Sequence, residues 1–103
     1  MAVTPVAGGA EVVTGGTAIT SIPANPLGGF IQNPYSAADQ GISPDPEPLY
    51  VDPINVPGST PGAANGTCFV LYPGQTWPVI PGQSTQTRVN AATSGHKLSS
   101  IYW

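Results

Sequence analysis

Charge is what this sequence has least of. Only 7% of its 103 residues are Asp, Glu, Lys or Arg, against about 25% in an ordinary soluble domain. A free monomer with so neutral a surface is held poorly in solution. The composition fits a chain much of whose surface is covered by a partner or by further copies of itself. The two basic side chains, Arg88 and Lys97, stand apart, so nucleic acid is excluded as the main partner: phosphates need clustered Lys and Arg. Cysteine is nearly absent too. Cys68 is alone and cannot form an intrachain disulfide. One Cys and one His cannot supply the three or four ligands of a zinc site. No apolar run approaches the length of a membrane-spanning helix. The start, MAVTPVAGGAEVV, has neither a basic region nor a continuous apolar core, so it is not read as a signal peptide.

Stretches without Gly or Pro are also scarce. The longest candidate, Gln83 to Ser94, is rich in Thr, Ser and Asn and carries no 3.6-residue apolar stripe. Tyr35 to Gln40 allows one short helical turn at most. What is present in their place is turn chemistry: 13 Gly and 13 Pro, with 40% of residues apolar. Disordered chains combine low hydrophobicity with high net charge, and this chain has neither. The expectation is an all-β protein, with extended chain and turns in place of helix. A domain this small needs help from outside its own core, and oligomerisation is the remaining source.

Three regions separate. Met1 to Gly16 is small, apolar and Gly-rich, with Val12-Val13 its one strand-like piece. Thr17 to Ile54 is extended, with strand candidates at Thr17–Ile22, Gly29–Gln32 and Leu49–Asp52 set among prolines. Proline lacks a ladder donor, so these segments are expected at edges or in irregular chain, and "SPDPEP" as a stiff spacer. After the Asn65-Gly66 turn dipeptide, "TCFVLY" is apolar on both faces and is expected to be a central strand with Cys68 buried and inert. The tripeptide PGQ recurs at 73–75 and 81–83. Pro-Gly suits a type II turn, and the two turns bracket a strand at Thr76–Ile80. "TQTRVN", a turn at Ser94-Gly95 and a last strand, Lys97 to Trp103, complete a four-stranded meander. The division expected is an extended arm over 1–47 and a small β-sandwich or meander over 48–103.

Few residues invite chemistry. His96, just past a turn, has no G-x-S-x-G nucleophile signal to work with and is expected to be an exposed hydrogen-bonding or interface residue. Asp45, Glu47 and Asp52 have no calcium-loop spacing and are expected to be solvated acids on the spacer. All five acids precede residue 53 and both basic residues follow it, which would let the halves attract each other within or between subunits. Tyr72, Trp77, Tyr102 and Trp103 could stack a sugar, but aromatics in so small a β-domain more often form core or subunit contacts.

Two stretches, "ANPLGGFIQNPYSAADQGI…EPLYVDP" (Ala24 to Pro53) and "YPGQTWPVIPGQSTQTRVNAATSGHKLSSIYW" (Tyr72 to Trp103), resemble small proteins encoded among the structural genes of tailed bacteriophages. The resemblance implies a non-enzymatic virion protein, made in the host bacterial cytoplasm and placed on the capsid surface. It would have no cofactor or metal and no membrane or nucleic-acid partner. It would decorate and stabilise the shell by clamping neighbouring capsid subunits, contacting the major capsid protein and sister copies, with a trimer favoured. Phe30, Ile31, Tyr35, Leu49 and Tyr50 are the expected partner contacts of the arm. Tyr72, Trp77, Ile101, Tyr102 and Trp103 are the expected core or subunit-interface residues. The alternatives are a tail, fibre or head-fibre component, or a carbohydrate-binding β-module.

Overall fold

The computed structural model describes residues 5–11, 19–54 and 68–103, and the expectations for Val12-Val13 and Asn65-Gly66 fall outside them. Among the described residues there are eight strands and one helical turn: β1 (Val6–Glu11), β2 (Ile19–Ile22), β3 (Gly29–Gln32), α1 (Ala37–Gln40), β4 (Leu49–Asp52), β5 (Phe69–Leu71), β6 (Thr76–Pro78), β7 (Thr87–Asn90) and β8 (Lys97–Tyr102). The fold is all-β, in two four-stranded antiparallel sheets. Sheet A runs β1-β8-β3-β6 and sheet B runs β2-β7-β4-β5. Among the described residues no helix is long and apolar enough to cross a membrane.

Four of the pairings follow one rule: β1 with β8, β2 with β7, β3 with β6, β4 with β5. The chain behaves as a long hairpin whose two limbs run side by side and step together from one sheet to the other. β3–β8 and β4–β7 pairings then close each sheet. This is the jelly-roll path, which leaves few open edges in a two-sheet protein.

That path corrects three expectations. Residues 19–47 are not an arm lying outside a 48–103 domain, because β2 and β3 are built into the sheets and Ile22 and Ile31 are fully buried. The strands after residue 67 are four, but they are no meander: β5 and β7 lie in sheet B, β6 and β8 in sheet A. "TCFVLY" is not a central strand either. β5 is an edge, Phe69 is exposed, and Cys68 stands half-buried one residue before it. Phe69, on the same side of β5 as buried Leu71, stacks on Trp77 of the facing edge, ring centroids 6.1 Å apart.

The core comprises Ile22, Ile31, Leu49, Val51, Leu71, Trp77, Val79, Val89, Ala91 and Leu98, with Tyr102 packed against it. Both limbs supply it, so neither would fold alone. The turns obey their local chemistry. In both PGQ turns Gly takes positive φ (87° at Gly74, 74° at Gly82), and the following Gln N–H donates to the carbonyl three residues back. Close approach explains Gly28-Gly29. A Cβ on Gly28 would lie 2.8 Å from the Trp103 ring, and one on Gly29 would collide with the Ile101 carbonyl. These glycines let the C-terminal strand lie flat on residues 27–30.

Candidate functional site

Two arrangements stand out: a buried polar network around His96, and the outer face of sheet A. The network starts from local structure. Ser36 caps α1, accepting from the Asp39 N–H at 3.1 Å, and Gly41 closes the turn in the left-handed region at φ 73°. This single turn directs Gln40 inward, where it is fully buried. On the other limb, the turn Thr93–His96 places Gly95 at φ 89°, with the His96 N–H 3.4 Å from the Thr93 carbonyl. That turn aims both Thr93 and His96 at Glu47.

The bonds then interlock. Gln40 Oε1 accepts from the Glu47 N–H at 2.9 Å, and its Nε2 donates to Asn33 Oδ1, the Pro34 carbonyl and the Glu47 carbonyl at 2.8–3.1 Å. Asn33 Nδ2 donates to the carbonyls of Glu47 and Leu71 at 3.0 and 2.9 Å. His96 sets Nδ1 3.0 Å from Glu47 Oε1 and Nε2 2.8 Å from Asn33 Oδ1. Thr93 donates to Glu47 twice, N–H to Oε1 at 2.9 Å and Oγ1 to Oε2 at 2.7 Å. Burial raises the Glu47 carboxyl, but the bonds from His96 and Thr93 outweigh it and hold it below the usual carboxylate range.

This corrects the reading of His96 as exposed: its side chain is fully buried. A ring with both nitrogens engaged and no exposure offers nothing to an outside substrate. The arrangement fastens one limb to the other. Glu47 and Asp52 are not free acids either. Asp52, fully buried, accepts from Arg88 Nη2 at 2.6 Å directly across the β4–β7 ladder. The segregation of acids and bases by halves therefore brings opposite charges together within the chain. Only Asp45 of the three acids is exposed.

The outer face of sheet A carries a groove lined by Phe30, Gln32, Thr76, Ser99 and Ile101, continuing past Gln32 and Ser99 to Tyr35, Asp39 and Gly74. Phe30 is 49%, Ile101 44% and Tyr35 78% exposed, and Trp103 packs beside Phe30 with centroids 6.2 Å apart. Of the expected partner contacts, Phe30 and Tyr35 are on this surface. Ile31 and Leu49 are not available, because strand alternation turns them into the core, both at 0%. Tyr50, between Leu49 and Val51, is half-buried and faces away from the core. Among the expected core or interface residues, Trp77 is core and Tyr102 packs against it. Ile101 and Tyr72 are exposed, and Trp103 is half-buried. The four-aromatic platform is not assembled as a surface, since Trp77 is buried under Phe69.

Sequence reasoning missed Asn33, Gln40 and Thr93. The available signal was a Ser cap and a Gly stop around a one-turn helix ending in a polar residue. No protein-family model, curated protein or solved structure matches the chain.

Proposed function

We propose that this chain is a non-enzymatic structural protein of a bacteriophage virion, one that decorates the capsid and stabilises it by bridging capsid subunits and sister copies. The observation that carries the reading is the jelly-roll path of the two sheets, an architecture used by viral capsid domains and also by lectins and cupins. Architecture alone does not assign function. The reading is supported by the low charge of the chain, by the exposed Phe30, Ile101 and Tyr35 on one sheet face, and by the phage resemblance of its two longest segments. The clamp is then the sheet A face, with Ile31 and Leu49 holding it rigid from behind. Apolar area on a pre-formed sheet docks without the ordering entropy that a loose arm would lose.

The test is composition and binding. Mass spectrometry of purified particles of the encoding phage should find the chain in many copies per capsid. Recombinant chain should rebind particles stripped of it. Phe30→Thr together with Ile101→Thr should weaken rebinding at least tenfold while the melting temperature changes little, because both side chains are about half exposed and Thr suits a strand. Absence from the particle, or rebinding untouched by the double substitution, would overturn the reading. A second reading, a sugar-binding tail or head-fibre component, draws on the mixed lining of the same groove: Phe30 and Tyr35 with Gln32 and Asp39. A handful of copies per particle, with retention on a glycan matrix, would favour it.

A further inference from the structure

We propose that the fold holds His96 as an imidazolium, and that its proton acts as a latch, tying residues 33–48 to the turn between β7 and β8 at neutral pH and releasing them as pH rises. The argument is one of donors and acceptors. The Glu47 backbone N–H can only donate, so the Gln40 atom facing it at 2.9 Å is the carbonyl oxygen. The other end of Gln40 is therefore the NH₂ group, and it donates to Asn33 at 3.0 Å. Asn33 is fixed a second time from its opposite end, where two backbone carbonyls, those of Glu47 and Leu71, can only accept. Both constraints leave Asn33 Oδ1 facing His96, so Nε2 donates.

The other nitrogen is settled in the same way. Glu47 Oε1 accepts from the Thr93 N–H, another obligate donor, and Oε2 accepts from the Thr93 hydroxyl. A carboxylate receiving these bonds is ionised and accepts at Oε1 from Nδ1 as well. Both ring nitrogens therefore carry hydrogen, and the ring is a buried cation paired with Glu47. A neutral ring would set a bare nitrogen lone pair against either Asn33 Oδ1 or Glu47 Oε1.

Among the described residues the charged surroundings are few. Glu47 is the ionised group bonded to the ring. Lys97, next in sequence, is exposed, with its stem beside Gly41. Asp39 is on the exposed side of α1. Deprotonation therefore breaks one of the two bonds to the ring and removes the partner charge of Glu47. The segment it frees carries Tyr35 and Asp39, which line the far end of the sheet A groove. This last consequence rests on the proposed docking role of that face. The latch itself does not.

The sign follows from linkage. An unfolded histidine releases its proton near pH ~6.5. A ring whose two N–H groups are both bonded in the closed network, and neither in the open one, favours closure while it is protonated and loses that preference as pH rises. The chain has one His, so a long-range proton–nitrogen NMR spectrum of the unmodified protein contains one imidazole. At pH 7 both its nitrogens should be protonated. Amide exchange, corrected for base catalysis, should show the opening of the Thr93 and Glu47 N–H groups rising by up to about tenfold per pH unit while the closed ring still holds the proton that the open form has lost, and levelling off once the closed ring loses it too. The Val51 and Val89 amides in sheet B should not follow. A neutral single-tautomer ring at pH 7 would overturn the charge assignment. A charged ring whose deprotonation leaves the Thr93 and Glu47 openings unchanged would overturn the latch.

Discussion

Among the described residues, two pairs of opposite charge tie one limb of the chain to the other, and the two ties are built differently. Asp52 and Arg88 face each other across a regular ladder, strand to strand. Glu47 and His96 meet between a loop and a turn, through side chains that also hold Asn33, Gln40 and Thr93. Arg88 keeps 23% of its side chain in contact with solvent, whereas His96 keeps none. A guanidinium keeps its charge across the ordinary pH range, and an imidazole does not. In a long hairpin, acids on one limb and bases on the other meet as the limbs align, so one segregation of sign produces both ties. The ladder tie needs only strand register. The loop tie needs the side-chain hydrogen bonds around it, because Glu47 and Thr93 lie outside the strands.

The difference predicts unequal damage. Asn33→Ala should be the most severe change. It removes the side-chain donor to the Leu71 carbonyl, one of two donors to the Glu47 carbonyl, and the acceptor facing both His96 Nε2 and Gln40 Nε2 in a buried site, at a cost of about 3 kcal/mol or more, read as a fall in the denaturant midpoint. Asp52→Ala should cost less, roughly 1–3 kcal/mol, because Arg88 can turn part of its head to water. If Asp52→Ala proves the worse of the two, the contrast between the ties is wrong.

Acid should separate them further. Glu47 is held below its ordinary range, so its contribution is complete above that range and is lost as pH falls through its lowered value. Thermal melts of Glu47→Gln should lose the part of the acid slope that the parent chain shows there. The Gln side chain has no carboxylate to protonate. An unchanged slope would mean that other carboxylates account for it.

Much of the local structure was legible. Gly29–Gln32 and Leu49–Asp52 were readable as strands from their apolar alternation, and the PGQ turns from the conformation that Pro-Gly imposes. The partners of the strands were not legible. Of the six pairings, only β4–β5 joins consecutive strands, and propensity does not specify which distant segment pairs with which. β1 was missed because VAGGAE is too small and Gly-rich to read as a strand; its pairing partner β8 supplies the order. The network was hidden for a similar reason. Asn33, Gln40, Glu47 and His96 are polar residues in Pro- and Gly-rich chain, where solvation is the ordinary expectation, and they converge only after both limbs have folded. Ile31 and Leu49 were placed on the surface because an extended arm was expected to have no inside.

Thr93→Ala should have the smallest effect and the finest resolving power. Thr93 sits at the exposed rim of the network and gives Glu47 two bonds, of which the substitution removes only the hydroxyl one. Its loss should lower stability by less than about 1 kcal/mol, since water can reach the freed Oε2. It should also move the Glu47 titration part of the way back toward the ordinary carboxylate range, because the bond from His96 lowers it more than the bond from the Thr93 hydroxyl does. Following that carboxyl by carbon NMR in the parent and in Thr93→Ala therefore ranks the two donors directly. A small upward displacement makes His96 the main tie and Thr93 its guide. Full return to the ordinary range would make the turn hydroxyl the main tie, and the loop would then be fastened from its exposed rim and not through the buried ring.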